Sequence, residues 1–173
     1  MKHTPWNSEG GGDVVYLDRH NLDCGNSHTI NYFHLVRNGD GNYRFDYRCC
    51  NTPYSCRGVW KSTPYNRWGG RGMVYLDRHV VSCGTQYMSS VWLRRSGDRI
   101  WYSYRCCEMT HRRSCYSGHT AWSYDGGGSD GNTVYLDRQH LSCYTGYGLT
   151  HFHLQRNGGH DHVRYHYTCC KAN

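Results

Sequence analysis

Three copies of one short run carry most of the chemistry this chain could do. Val15-Tyr16-Leu17-Asp18-Arg19-His20 returns as Val74-Tyr75-Leu76-Asp77-Arg78-His79, and again as Val134-Tyr135-Leu136-Asp137-Arg138-Gln139. Each copy sets a carboxylate acceptor beside a guanidinium donor, with an imidazole or an amide next in line. An aromatic residue precedes each copy: Trp6, Tyr65 and Trp122. Oriented acceptors and donors beside a ring platform suit a sugar, whose hydroxyls need fixed partners and whose apolar ring face packs on an aromatic. The residues expected to line such sites are Asp18, Arg19 and His20; Asp77, Arg78 and His79; Asp137 and Arg138; and Trp6, Tyr65 and Trp122. The competing assignment is structural: the aspartate ties down a bend and the arginine bonds carbonyls or an acidic neighbour. The third copy carries Gln139-His140 where the first has His20-Asn21, so one site would differ.

The elements that must hold these residues repeat with a period of about 60 residues, one supersecondary unit per copy. His3-Thr4-Pro5-Trp6, Ser62-Thr63-Pro64-Tyr65 and His119-Thr120-Ala121-Trp122 each precede a glycine-rich turn: Gly10-Gly11-Gly12, Gly69-Gly70-Arg71-Gly72 and Gly126-Gly127-Gly128. They divide one domain, residues 1–173, into repeats of about 3–61, 62–118 and 119–173. In the first repeat three strands are readable. One runs from Val15 to Cys24. The next runs from Ile30 to Arg37 and ends in the hairpin signal Asn38-Gly39-Asp40-Gly41. The last, Tyr43 to Cys50, alternates aromatic and charged residues as a half-buried antiparallel strand does. The Thr-Pro-Trp segment could add a fourth. Leu17 and Leu22 are five apart, as are Leu76 and Val81, and Leu136 and Leu141. An odd separation sends them to opposite faces of an unbroken strand, so a bulge or bend is expected at Asp-Arg-His.

The 11 cysteines recur in the same frame. A lone cysteine lies 25, 23 and 26 residues before a vicinal pair, and the first member of each pair sits on the aromatic face. This predicts Cys24–Cys49, Cys83–Cys106 and Cys143–Cys169. The second members have local partners in two repeats, predicting Cys50–Cys56 and Cys107–Cys115. Cys170 is then left free, bonded to another chain, or orphaned. Zinc is the rival use of paired cysteines, but vicinal Cys-Cys lacks Cys-x2-Cys spacing. Cysteine at this density reads as disulfide, which places the protein in an oxidising, extracellular compartment.

Cys24, Phe33, Arg44-Phe45-Asp46-Tyr47-Arg48-Cys49-Cys50 and Pro53-Tyr54-Ser55-Cys56 together resemble the dermatopontin family. Those are tyrosine-rich, disulfide-bonded proteins of extracellular matrix and cell aggregation. Repeat two also has Asp98-Arg99-Ile100-Trp101 ahead of its cysteine pair, similar to that family's Asp-Arg-x-Trp element. Repeats one and three lack the element, and the Tyr-Leu-Asp-Arg-His opening is not part of the family pattern. The threefold plan also looks like that of vitelline membrane outer layer proteins, which are β-prisms.

Composition narrows the function classes. Net charge is +7, from 17 Arg and 3 Lys against 11 Asp and 2 Glu, and only two alanines occur. Residues that favour helices are avoided. No Arg/Lys block stands out except Arg112-Arg113, so a nucleic-acid partner is not expected. Met1 to Trp6 lacks the apolar run of a secretory signal, and the start reads as that of a mature or excised segment. No stretch has the apolar length of a membrane span. Histidines crowd repeat three (His151, His153, His160, His162, His166) and read as solvated loop and strand-face residues. Neither a metal nor another cofactor is expected. No nucleophile elbow, metalloprotease helix or phosphate loop is present, and threefold symmetry would hold the repeated aspartates far apart, so no enzyme is expected. The expected fold is all-β, pseudo-threefold and β-prism-like, with a β-trefoil as the alternative, held by bridges worth about 2–4 kcal/mol each. The expected function is a secreted lectin-like module that binds glycans at repeat-equivalent sites and aggregates cells or matrix. A structural matrix, adhesive or fibre-forming protein, self-associating and without a small ligand, is the alternative.

Overall fold

A computed structural model describes residues 1–68, 72–109, 114–128 and 130–172. Gly69, Gly70 and Arg71 of the second glycine cluster and the Arg112-Arg113 pair lie outside the described residues. Among the described residues each repeat, together with the short segment that leads into it, contributes five strands. Repeat one supplies β1 (Lys2–His3), β2 (Asn7–Ser8), β3 (Asn21–Asp23), β4 (His28–Arg37) and β5 (Asn42–Asn51). Repeat two supplies β6 (Trp60–Ser62), β7 (Asn66–Arg67), β8 (Val81–Ser82), β9 (Met88–Ser96) and β10 (Arg99–Cys106). Repeat three supplies β11 (Cys115–His119), β12 (Ser123–Tyr124), β13 (His140–Ser142), β14 (Tyr147–Arg156) and β15 (His162–Lys171).

These form three separate antiparallel sheets of five strands, a prism-like plan rather than a closed trefoil barrel. The long hairpin is the centre of each sheet, and it follows from the sequence signals. Gly39 and Gly41 hold φ of 85° and 75° in the β4–β5 turn, and Tyr43 and Tyr47 alternate inward from it. The edges are shared. β3 of repeat one pairs with β9 of repeat two, β8 of repeat two with β14 of repeat three, and β13 of repeat three returns to β4 of repeat one. Each sheet therefore borrows an edge strand from the preceding repeat, and the borrowing closes in a ring.

The seams are secured by a bulge in each long strand, opposite the junctions Ile30/Tyr32, Met88/Ser90 and Leu149/His151. The residue pushed out of register is Asn31, Ser89 or Thr150, and all three are buried. Its carbonyl accepts the backbone N–H of the neighbouring repeat's lone cysteine, Cys143, Cys24 or Cys83, at 2.8 Å in every case. This bulge frees a carbonyl for the preceding repeat, and it is additional to the bend expected at Asp-Arg-His, where a 3-10 helix ends.

The first predicted strand is mostly not a strand. Val14–Arg19, Met73–Arg78 and Thr133–Arg138 are 3-10 helices, and only the short β3, β8 and β13 follow them. The Asp13 and Asn132 side chains accept from Val15 and Val134 N–H and so start two of these helices. Leu17 and Leu22 both reach the core because the helix re-aims the chain between them.

Aromatic rings fill the axis. Phe152 meets Phe33 at 5.4 Å, Tyr102 at 5.6 Å and Tyr165 at 5.9 Å between ring centres, all edge to face. It touches rings from all three sheets, and the packing leaves a cavity of only about 30 Å³.

Sulfur stitches this arrangement. Cys24–Cys49, Cys83–Cys106 and Cys143–Cys169 form as expected. Each lone cysteine directly follows a borrowed strand, so each of these bridges spans two sheets. The other expected bridges, Cys50–Cys56 and Cys107–Cys115, do not form. Cys56 bonds Cys107, Cys115 bonds Cys170, and Cys50 rather than Cys170 is free. The reason is strand adjacency. The segment entering a repeat lies antiparallel beside that repeat's last strand, with Cys115 opposite Cys170 in register. A cysteine between repeats thus pairs forward, not back. Cys50 is half-buried, and burial pushes its thiol up. Thiol titration of the denatured, unreduced protein should find one thiol per chain, none in Cys50→Ser and two in Cys170→Ser; two thiols in Cys50→Ser would mean a different pairing.

Candidate functional site

Each Asp-Arg pair ends a 3-10 helix and faces the long strand of the next repeat. A ring N–H on that strand fixes the helix end. Trp92 Nε1 donates to the Asp18 carbonyl at 2.5 Å, His153 Nε2 to the Asp77 carbonyl at 2.5 Å, and His34 Nε2 to the Asp137 carbonyl at 2.6 Å. The three carboxylates are thereby set at equivalent, half-exposed positions.

The arginines of the motif stack on rings of their own helices. A 3-10 helix has three residues per turn, so residues i and i+3 eclipse. Arg19 lies over Tyr16 at 4.4 Å, Arg78 over Tyr75 at 4.7 Å and Arg138 over Tyr135 at 4.4 Å. Arg19 and Arg138 still border clefts, but stacked against their own tyrosines.

His20 and His79 are turned into the core, 2% and 1% exposed, and are not ligand groups. Thr4 and Thr63 hold them. Thr4 Oγ1 accepts the Phe45 N–H at 2.9 Å and shares a hydrogen bond with His20 Nδ1 at 2.7 Å. Thr63 repeats this with the Tyr102 N–H and His79 Nδ1. In repeat three Thr120 serves the Tyr165 N–H, and Gln139 takes the histidine's place. Burial, with the adjacent Arg19 or Arg78 charge, lowers both imidazoles to about 4.

The aromatic platforms are exposed, but each leans on one neighbour from the last strand of its own repeat. Arg44 sits over Trp6 at 4.5 Å, Arg164 over Trp122 at 4.3 Å, and Trp101 packs on Tyr65 at 4.6 Å. Trp122 lines a cleft that also holds one of the repeated aspartates, Asp77.

Three open clefts result. The largest, about 490 Å³, is lined by Asp77, Trp122, His153, Gln155, Arg156, Asn157, His160 and Arg164. That around Asp137, with Glu9, Arg37 and Arg138, is about 320 Å³, and that around Asp18, with Tyr16, Arg19 and Arg95, about 270 Å³. Burial raises the Asp18 and Asp77 carboxyls, against the pull of Arg95 and Arg156 respectively. Arg95 Nε stands 3.8 Å from Asp18, whereas Arg37 makes a two-pronged bond to Glu9 at 3.0 and 3.1 Å.

Arg37, Arg95 and Arg156 were missed in the sequence because they come from the neighbouring repeat. Their signal is there, two residues past a buried leucine in each long strand: Leu35-Val36-Arg37, Leu93-Arg94-Arg95 and Leu154-Gln155-Arg156. Of the repeat-three histidines, His151 and His166 lie with ring centres 5.3 Å apart and His119 stands 5.0 Å from His166, while His160 lies in the β14–β15 turn; among the described residues no group of three or more potential ligands is placed to hold a metal. No helix among them is long and apolar enough to cross a membrane. Comparison with family models, curated proteins and solved structures finds no match to this chain.

Proposed function

We propose that the chain is a secreted, lectin-like module that binds glycans at its three repeat-equivalent clefts and thereby bridges cells or matrix. The observation that carries this reading is that Asp18, Asp77 and Asp137 each line an open cleft opposite an arginine of the next repeat. A carboxylate accepts from vicinal hydroxyls, a guanidinium donates to ring or hydroxyl oxygens, and Trp122 offers an apolar face in the largest cleft. Three weak sites on one rigid body gain avidity on a repeating target. Five disulfides fit an extracellular setting. The reading is binding rather than hydrolysis, because the Asp18 and Asp77 clefts each supply one lining carboxylate, and in the Asp137 cleft Glu9 is occupied by Arg37.

A glycan array tests it. Wild-type protein should retain a defined glycan set. Asp77→Ala should weaken it by roughly ten- to a hundredfold, the cost of about 1.5–3 kcal/mol for a charged hydrogen bond. The triple variant with Asp18→Ala and Asp137→Ala should abolish it. An array with no retained glycan, or one indifferent to all three changes, rejects the reading. A structural matrix role is the second reading, favoured by the free thiol of Cys50. Its mark would be a band of twice the chain mass on non-reducing gels that vanishes in Cys50→Ser.

A further inference from the structure

The three clefts are alike in plan and unlike in charge, and the difference traces to one position. Glu9, which follows β2 and neutralises Arg37, corresponds to Asp125, which follows β12. Asp125 is turned inward, fully buried, and caps the Gly127 N–H. Arg156, the counterpart of Arg37, is therefore left without that carboxylate. Its Nη2 donates to the His160 carbonyl at 3.1 Å, and its Nε is buried with no hydrogen-bond partner among the described residues. A buried N–H of a charged group left unbonded is costly and calls for an acceptor. Arg164, held by Gln155 at 3.0 Å and stacked on Trp122, brings a second guanidinium to the same cleft. His153 and His160 also line it, and among the described residues Asp77 is its one lining carboxylate.

We propose that the Asp77 cleft takes an acidic sugar, with Arg156 and Arg164 gripping its oxoanion, a carboxylate or a sulfate, while Trp122 packs on the ring. The inference rests on the glycan-binding reading and names the ligand class of one of its sites. A planar guanidinium matches either anion in two-pronged geometry, which a neutral hydroxyl cannot fill. The chain's charge of +7 steers such a ligand in. His160 supports the cleft from the β14–β15 turn, where it holds a left-handed φ of 57°.

The test is a titration of matched oligosaccharides of one backbone: neutral, uronate-bearing and sulfated, read by Trp fluorescence or calorimetry. At least one acidic form should bind tenfold or more tightly than the neutral one, and the uronate and sulfate arms identify which anion is gripped. Arg156→Gln should lose tenfold or more of that affinity, with Arg156→Lys intermediate. Arg57→Gln, which removes the same charge from an exposed loop away from the cleft, should change little. Thermal melts establish that each variant folds. If the neutral form binds equally and Arg156→Gln does not matter, the acidic preference fails while glycan binding stands. If no form binds, both fail. If Arg57→Gln costs as much as Arg156→Gln, binding is diffuse charge attraction and the assigned grip is overturned.

Discussion

Between pH 6.5 and about 4 the protein should lose stability steeply, and the double variant His20→Gln, His79→Gln should lose much less. Both imidazoles are held neutral at about 4 in the folded state, and an exposed histidine titrates near 6.5. As pH falls the unfolded chain takes up these protons first, so folding is opposed increasingly through that window and unaffected above it. A shift of this size corresponds to about 3 kcal/mol per histidine, or about 6 kcal/mol for the two. That is comparable with the whole stability of an ordinary domain. Protonation would also put an N–H on both nitrogens of each buried ring, and Nε2 has no hydrogen-bond partner among the described residues. Repeat three shows the remedy. Gln139 accepts from Thr120 through Oε1 and donates through Nε2 to the Ala121 and Val163 carbonyls, with nothing to titrate. Asp18 and Asp77, whose carboxyls burial raises, act in the opposite sense at lower pH. Denaturant melts at pH 7 and pH 4.5, on wild type and double variant, measure the difference directly. Equal slopes with pH in the two proteins would put the acid sensitivity elsewhere.

Phe152→Ala should cost about 3–5 kcal/mol, the range for removing a large buried ring that its surroundings cannot collapse to fill. Phe152 touches Phe33 of the first sheet, Tyr102 of the second and Tyr165 of its own. Three rigid sheets stapled to each other by sulfur cannot close on the space that remains. Phe152→Leu keeps most of the volume and should cost about 1.5 kcal/mol or less. A loss below about 1 kcal/mol for Phe152→Ala, read from chemical denaturation, would mean that the axis is not where the sheets are held together.

The plan of three hairpins was legible because its signals are local. Asn38-Gly39-Asp40-Gly41 marks a turn, Tyr43 and Tyr47 mark the inner face, and the spacing from Cys24 to Cys49 repeats with little drift. What was not legible depends on which strand lies beside which. Cys56 looked like a partner for Cys50 by proximity in sequence, but the strand it precedes runs along β10, and Cys107 is there to meet it. The Val-Tyr-Leu-Asp-Arg run looked extended because β-branched and aromatic residues favour strands. Asp13 and Asn132, each two residues ahead of a valine, were the overlooked helix starts. The candidate site was half visible. The aspartates were, and their opposing arginines were not, since these arrive from the neighbouring repeat.

The cyclic loan of edge strands has a topological consequence. One repeat by itself would expose both a vacant groove along its long strand and a loose ribbon shaped to fill such a groove in another unit. The three units here close into a ring that leaves no groove vacant and no ribbon loose. The three repeats are thus equivalent to a homotrimer whose protomers have been joined end to end, each completing its neighbour.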